Sequence, residues 1–253
     1  MNIKLMAALA ICLVPLGLRG IHAATIVSPA FAANLEGTTN NLNPFGTDPG
    51  RSVRFQQVYN ASEFSTLGVS NFITQIAFRP DFNTFPVAPY TITLANVQIR
   101  FSTTSKSASN LSTTFGDNIG SDEIIAFSGP LTLSTGFVGP AGGPKAFDLV
   151  INLTTPFLFT RTNGNLLMDV RNFNGSNFGA AFDATGGLGV SARVTTNFAG
   201  NVNSTVANQA DSIALVTRFI TSPAVPEPNV IGLAMIGSLG LLATSRRARG
   251  QNV

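Results

Sequence analysis

The sequence predicts an all-β protein: a two-sheet antiparallel β-sandwich, jelly-roll-like, flanked by a cleavable signal peptide and a short C-terminal apolar helix. Three observations support this prediction. Apolar and polar residues alternate in many short runs, turn-forming residues separate those runs, and the central part contains no amphipathic stretch of three helical turns. Such alternation is typical of half-buried strands, because successive side chains of a strand point to opposite faces of the sheet.

The strand candidates follow from this alternation. In one of them, Val97, Ile99 and Phe101 alternate with the polar residues Gln98 and Arg100. The other candidates are residues 52–59, 73–78, 90–94, 124–127, 147–153, 166–171, 190–194 and 212–220. About nine or ten strands joined by turns favour a sandwich over a parallel α/β fold or a helix bundle.

Two long segments lack this alternation and are predicted to be loops. Residues 34–50 are rich in Asn, Thr, Gly and Pro, and residues 172–189 are rich in Asn and Gly with spaced Phe residues. Loops at the ends of a sandwich often hold binding residues, but they also vary freely where they only cover the surface. The sequence alone leaves both interpretations open.

The first 23 residues have the features of a cleavable signal peptide. Lys4 supplies a positive charge, residues 5–18 are apolar, and Ala23 and Ala24 provide small residues for signal peptidase. We therefore expect cleavage after Ala23 and export of the mature chain. Its folded domain would comprise residues 24–225.

The C-terminal segment, residues 226–253, combines a Pro-Glu-Pro joint, an apolar run without charge and an arginine cluster. The defining residues are Pro226, Glu227, Pro228, Arg246 and Arg247. The apolar run, residues 230–243, would span only about 21 Å as a helix, whereas crossing a bilayer takes about 20 residues. We expect it to stop in the membrane transiently during export, with the arginines on the cytoplasmic side.

This combination of joint, apolar run and arginine cluster resembles a PEP-CTERM sorting signal. The resemblance covers only the last 28 residues. It implies processing by an exosortase, an integral-membrane enzyme of Gram-negative bacteria that also make exopolysaccharide. It therefore implies a location at the outer cell surface or outside the cell, associated with exopolysaccharide or a biofilm matrix. It implies nothing about the fold or ligand of the central domain.

The net positive charge of the chain comes from its two terminal segments. Five of the 15 basic residues lie in residues 1–23 and 226–253, as does one of the 12 acidic residues. Residues 24–225 therefore contain 10 basic and 11 acidic residues, and the sequence pI of about 9.5 reflects the terminal segments. A nearly neutral domain does not predict a nucleic-acid partner.

The predicted mature domain contains neither His nor Cys, because His22 and Cys12 both lie in the signal peptide. Their absence argues against Ser-His-Asp hydrolysis, a Cys nucleophile and a zinc site built on imidazole or thiolate. We therefore expect a protein that is not an enzyme and that needs no cofactor, with calcium as the one exception to consider.

Carboxylates are the chemistry that remains, and they are densest at Asp117, Asp122 and Glu123. An acidic loop that contains glycine is one way to bind calcium, although this spacing does not match an EF-hand loop. A carboxylate pair also serves glycoside hydrolases, but their clefts usually offer aromatic platforms, and this chain has no Trp and two Tyr. The simplest interpretation is a solvated turn.

These observations predict an exported, non-enzymatic protein of the cell surface or extracellular matrix. A structural matrix protein would associate through its neutral Ser, Thr and Asn surface and through exposed strand edges. A carbohydrate-binding module would use polar end loops or a sheet concavity with Tyr or Phe for stacking, and the absence of Trp counts against it. The sequence leaves these two roles open.

Overall fold

A computed structural model describes residues 23–83, 85–197 and 201–224 of the 253-residue chain. Within these residues the regular structure consists of thirteen β-strands and three short 3₁₀-helices. The strands are β1 (Ala24–Ser28), β2 (Thr39–Asn41), β3 (Val53–Tyr59), β4 (Ser70–Phe78), β5 (Tyr90–Thr104), β6 (Ile124–Thr135), β7 (Leu149–Thr160), β8 (Asn165–Asn172), β9 (Phe182–Thr185), β10 (Ser191–Thr195), β11 (Gln209–Asp211), β12 (Ala214–Leu215) and β13 (Thr217–Pro223). The 3₁₀-helices are Ala30–Ala33, Ala61–Phe64 and Phe115–Asn118. In this part of the chain no helix is long and apolar enough to span a membrane.

The strands of the described residues form three sheets. A four-stranded sheet has the order β1-β13-β4-β7, a six-stranded sheet has the order β11-β10-β3-β8-β5-β6, and a small sheet has the order β12-β9-β2. Every strand pairing in these sheets is antiparallel. The prediction of an all-β fold with antiparallel sheets is confirmed. The small sheet is an addition that the alternation of residues does not predict.

Side chains from the four-stranded and six-stranded sheets share one hydrophobic core. Tyr59 of β3 packs edge-on against Phe219 of β13, with ring centroids 5.0 Å apart. Phe101 of β5 stacks on Phe157 of β7 at 5.9 Å. The inward-facing residues of the alternating strands form this core. Their burial is favourable because it removes apolar surface from water.

The six-stranded sheet is also covered on its second face. All 7 residues of β3 are buried, and Arg54 on this strand forms an ion pair with Asp169 of β8, Nη2 to Oδ2 2.6 Å. Gln56 donates to the same carboxylate oxygen at 2.7 Å. Phe115, from the connection between β5 and β6, lies 4.5 Å from the Arg54 guanidinium. This second face is therefore a buried polar layer, which is tolerated because its charges are paired and hydrogen-bonded.

Several strand boundaries differ from those that the alternation predicts. Residues 90–94 and 97–101 belong to one continuous strand, β5, whose pairing with β6 shifts register between Leu94 and Val97. The predicted strand 212–220 divides into β12 and β13. The two segments predicted as loops contain β2 and β9, which pair with each other. Strands of three or four residues are too short for alternation to reveal.

The first and last strands are neighbours in the four-stranded sheet. Ala24 of β1 pairs with Thr221 of β13, so both ends of the described domain leave from the same end of this sheet. At the other end Ser28 pairs with Thr217, and β4 finishes at Phe78. A cluster of carboxylates lies at this second end, away from the two ends of the described domain.

Candidate functional site

Three carboxylates converge where the small sheet meets the end of β4. Glu36 precedes β2, Asp81 follows β4, and Asp183 lies in β9. One oxygen atom from each carboxylate lies within 4.8 Å of the other two. The three residues come from separate parts of the chain, so the site exists only in the folded protein.

Backbone hydrogen bonds place Asp81 beside Asp183. The Asp183 amide donates to the Arg79 carbonyl oxygen at 3.0 Å, and the Asp81 amide donates to the Ala181 carbonyl oxygen at 3.2 Å. An isolated β-bridge joins the two residues that lie between these bonds. The chain after β4 therefore continues as a partner of β9, and this pairing sets the distance between the two aspartates.

Two contacts hold the backbone on either side of Glu36. The Arg79 guanidinium donates to the carbonyl oxygen of Leu35, and the Gly37 amide donates to Asp183 Oδ1 at 3.0 Å. A Cβ atom at position 37 would lie 2.1 Å from a backbone carbonyl oxygen of β9. Only glycine permits so close an approach, so Gly37 fixes the position of the Glu36 backbone.

Arg79 is the cation of the site. Its Nε donates to Asp183 Oδ2 at 2.6 Å, and the two side chains are 1% and 0% exposed. The guanidinium also lies over the Phe147 ring, 4.8 Å from the ring centroid. One guanidinium faces three carboxylates, so the site has an excess of negative charge.

Two of the three carboxylates, those of Glu36 and Asp183, have raised pKa values. Burial and then the charge of Asp183 raise the pKa of Glu36 to about 7, although Arg79 acts in the opposite direction. Burial raises the pKa of Asp183 to about 6 against the lowering effect of Arg79. Both carboxylate oxygens of Glu36 are buried without a hydrogen-bond partner. The Phe82 backbone amide acts on this carboxylate in the lowering direction, but burial and the charge of Asp183 outweigh it. The site therefore contains buried acceptors that no protein donor satisfies.

An open cavity of about 400 Å³ adjoins Arg79, and its lining includes Asn34, Lys145 and Phe147. The two cations of this lining already have protein partners. Lys145 Nζ donates to the Pro140 carbonyl oxygen at 2.6 Å, and Arg79 is paired as described above. The carboxylate cluster, rather than this cavity, is therefore the better candidate for binding chemistry.

The acidic cluster predicted from the sequence is divided in the structure. Glu123 pairs with Arg100, Oε2 to Nη1 2.8 Å, and both side chains are about one-fifth exposed. Among the described residues, Asp117, Asp122 and Glu123 do not form a set of three carboxylates close enough to share one ion. Calcium binding in this loop stays a prediction.

Asp117 and Asp122 do line the same space, an open polar cavity of about 380 Å³ that also includes Asn163. Each aspartate accepts a hydrogen bond from a neighbouring segment. Ser112 Oγ donates to Asp117 at 2.9 Å, and the Thr103 amide donates to Asp122 at 2.7 Å. These bonds order the loop between β5 and β6 beside the cavity.

The predicted processing residues lie at or beyond the ends of the described domain. Ala23 is exposed and immediately precedes β1. Pro226, Glu227, Pro228, Arg246 and Arg247 lie outside the described residues, as do residues 1–22 of the predicted signal peptide.

Glu36, Asp81 and Asp183 are the residues that sequence reasoning missed. Each stands alone among apolar or polar neighbours, so no local density of acids marks them. One signal was available: Asp183 stands between Phe182 and Ala184, and a carboxylate within an apolar run predicts a buried charge that needs a partner.

Comparison with known proteins assigns no chemistry to this site. No protein-family model, curated protein or solved structure matches the chain. The chemistry must therefore follow from the residues themselves. Carboxylate oxygens without His or Cys are the ligand set of hard cations such as calcium.

Proposed function

We propose that the protein is an exported, non-enzymatic component of the cell surface or extracellular matrix of a Gram-negative bacterium. Signal peptidase would remove residues 1–23, and an exosortase-type enzyme would process the tail at residues 226–253. Its surroundings would be exopolysaccharide or a biofilm matrix. The observations that support this proposal best are the apolar N-terminal segment that ends at Ala23 and the tail that combines Pro226, Glu227 and Pro228 with an arginine cluster.

The arrangement of the ends supports the same proposal. β1 and β13 are adjacent and antiparallel, so the predicted cleavage site at Ala23 and the exit toward the tail lie at one end of the domain. A domain attached through that tail would present its opposite end, with Glu36 and Asp183, away from the membrane. The two ends of the described domain are thereby separated from any binding surface at the far end.

We further infer that the two larger sheets form a jelly-roll-like β-sandwich. Four strands of one sheet have the order β1-β13-β4-β7, and four strands of the other have the order β3-β8-β5-β6. Apart from the β5–β6 hairpin, each successive strand of this set of eight changes sheet, as in a jelly roll. The shared hydrophobic core supports the same arrangement.

For the molecular role we propose a structural matrix function through side-chain surfaces rather than strand edges. The long edge strands β6 and β7 carry Pro130 and Pro156, and Thr154 of β7 donates to the Ala126 carbonyl oxygen of β6 at 2.9 Å. Proline and mutual contact both hinder the addition of another strand. The neutral Ser, Thr and Asn surface is then the main contact area.

Carbohydrate binding is the second candidate, and the polar cavity beside Asp117, Asp122 and Asn163 favours it. Amide and carboxylate groups are suited to sugar hydroxyls. The two tyrosines are poor stacking platforms, since Tyr59 is fully buried and the Tyr90 hydroxyl is buried. A sugar would therefore depend on hydrogen bonds rather than on stacking.

The sorting proposal is tested by expressing the chain in a Gram-negative host that contains an exosortase. The wild-type protein should reach the outer surface or the medium with Ala24 as its first residue and with its tail processed. Replacing Pro226, Glu227 and Pro228 together by Ala should leave an unprocessed protein in the inner-membrane fraction. Equal mass and equal location of the two proteins would contradict the sorting proposal.

The two molecular roles are separated by binding and assembly measurements. Glycan-array binding that Asp122→Asn or Asn163→Ala abolishes would favour the carbohydrate-binding role. Concentration-dependent assembly in analytical ultracentrifugation, without glycan and unchanged in Asp122→Asn, would favour the structural role.

A further inference from the structure

We propose that Glu36, Asp81 and Asp183 form a binding site for a hard divalent cation, with calcium as the preferred ion. This inference goes beyond the proposed function and does not depend on it, because the site lies within the described domain and away from both predicted processing segments.

The spacing of the carboxylates suits one ion. Calcium binds oxygen at about 2.3–2.6 Å, so two ligands of one ion lie at most about 5 Å apart. Oxygen atoms of Glu36, Asp81 and Asp183 lie within 4.8 Å of one another. An ion between them would contact all three without a change in the backbone.

The Glu36 carboxylate is the second and independent observation. Both of its oxygens are buried, and neither accepts a hydrogen bond. A buried carboxylate without a donor loses the hydration that it has in water, so the folded state needs a compensating partner. Arg79 does not provide it, because that guanidinium is bonded to Asp183 and to the carbonyl oxygen of Leu35.

The backbone keeps Glu36 in place. Leu35 is bonded through its carbonyl oxygen and Gly37 through its amide, so the residue between them is held on both sides. Asp183 is held in turn by Arg79, and its side chain has no exposed surface. These contacts preorganise the ligands, which lowers the entropy lost when an ion binds.

The ligand chemistry selects the kind of ion. The described residues contain neither His nor Cys, so the soft and borderline ligands that zinc and copper prefer are absent from the domain. Magnesium demands octahedral geometry and keeps most of its waters, whereas calcium accepts irregular sets of carboxylate and carbonyl oxygens. A partly buried set of three carboxylates therefore favours calcium over magnesium.

The experiment uses the full exported chain and follows its thermal unfolding in calcium chloride and in EGTA. At calcium concentrations about a hundredfold above Kd, we expect Tm to rise by about 5–10 °C relative to EGTA. Glu36→Gln, which keeps the shape of the side chain, should abolish the shift. Asp122→Asn, a carboxylate replacement in the other acidic region, should leave the shift unchanged.

Other results would overturn the assignment. A wild-type protein whose Tm is the same in calcium, magnesium and EGTA has no such site. A shift that persists in Glu36→Gln but disappears in Asp122→Asn places the ion in the loop between β5 and β6 instead. If Glu36→Gln fails to fold, Asp81→Asn replaces it, and retention of the full calcium shift in that variant contradicts the proposal.

Discussion

Two acidic regions of this molecule use their carboxylates in different ways. In the loop between β5 and β6, Asp117 and Asp122 are exposed, accept hydrogen bonds from neighbouring segments and line an open polar cavity. At the far end of the four-stranded sheet, Glu36 and Asp183 are held in a buried cluster whose single guanidinium does not balance its charge. The acidic residues that are close along the chain therefore lie in a solvated loop. The acidic residues that meet only in the folded protein form a site with an excess of negative charge.

The largest expected effect comes from removing the cation of the buried cluster. Arg79→Met should lower the free energy of unfolding by about 3–5 kcal/mol, because Asp183 would remain buried beside two other carboxylates. Chemical denaturation measures this difference. The matched control is Arg100→Met, whose partner Glu123 is about one-fifth exposed, with an expected loss of at most about 1 kcal/mol. If both variants lost the same free energy of unfolding, the two acidic regions would not differ in how strongly their arginines stabilise the fold.

The next effect concerns the glycines beside the two regions. Gly37→Ala should destabilise the fold by about 2–4 kcal/mol, because the new Cβ would lie 2.1 Å from a backbone carbonyl oxygen. Gly116→Ala, next to Asp117, meets no atom within 4 Å and should change stability by less than about 0.5 kcal/mol. A small effect at position 37 would show that the Glu36 segment is free to move.

A third comparison predicts effects of opposite sign. In EGTA at pH 7.5, Glu36→Gln should raise the free energy of unfolding by about 1 kcal/mol, because a neutral amide replaces a buried carboxylate without a donor. Asp122→Asn should lower it by about 0.5–1 kcal/mol, because the Thr103 amide loses a charged acceptor. Denaturation midpoints of the two variants against wild type give the signs. If both substitutions changed stability in the same direction, Glu36 and Asp122 would not differ in whether their negative charge stabilises the fold.

The last comparison uses Asp211 as a reference carboxylate outside both regions. Burial alone would raise the pKa of Asp211, but hydrogen bonds and charge from Arg193 outweigh it, so this pKa is lowered. A lowered folded pKa stabilises the protein above the unfolded value near 4, and the contribution is lost as pH falls through the folded value. Asp211→Asn should therefore lose about 1 kcal/mol at pH 7, and its difference from wild type should shrink as pH falls below the unfolded value. A difference that does not shrink in acid would show that Asp211 acts by packing rather than by charge.

Local patterns account for the parts of the fold that could be predicted. Segments such as 97–101 of β5 and 149–153 of β7 alternate over several residues, and one buried face is enough to generate that pattern. The short strands β2 and β9 arise only because they pair with each other across the chain. The register shift between Leu94 and Val97, which unites two predicted strands into β5, likewise depends on the partner strand.

The acidic residues likewise divide into a group that the sequence reveals and a group that only the fold brings together. Asp117, Asp122 and Glu123 are recognisable from the sequence because they are close along the chain. In the structure Glu123 forms an ion pair with Arg100, and Asp117 and Asp122 line one cavity. Glu36, Asp81 and Asp183 have no local signature. Their proximity depends on the pairing of β9 with the chain after β4 and on the close approach at Gly37.

By itself the sequence determined the all-β class, the near neutrality of the central domain, its lack of His and Cys, and the resemblance of the tail to a sorting signal. These properties depend on composition and on neighbours along the chain, which a sequence states directly. Only the tertiary structure decided which strands are adjacent, that the two ends of the described domain lie at one end of a sheet, and which carboxylates lie close together in space. Those properties depend on contacts between segments that are distant along the chain. When such contacts bury ionisable groups, they shift the pKa values of those groups.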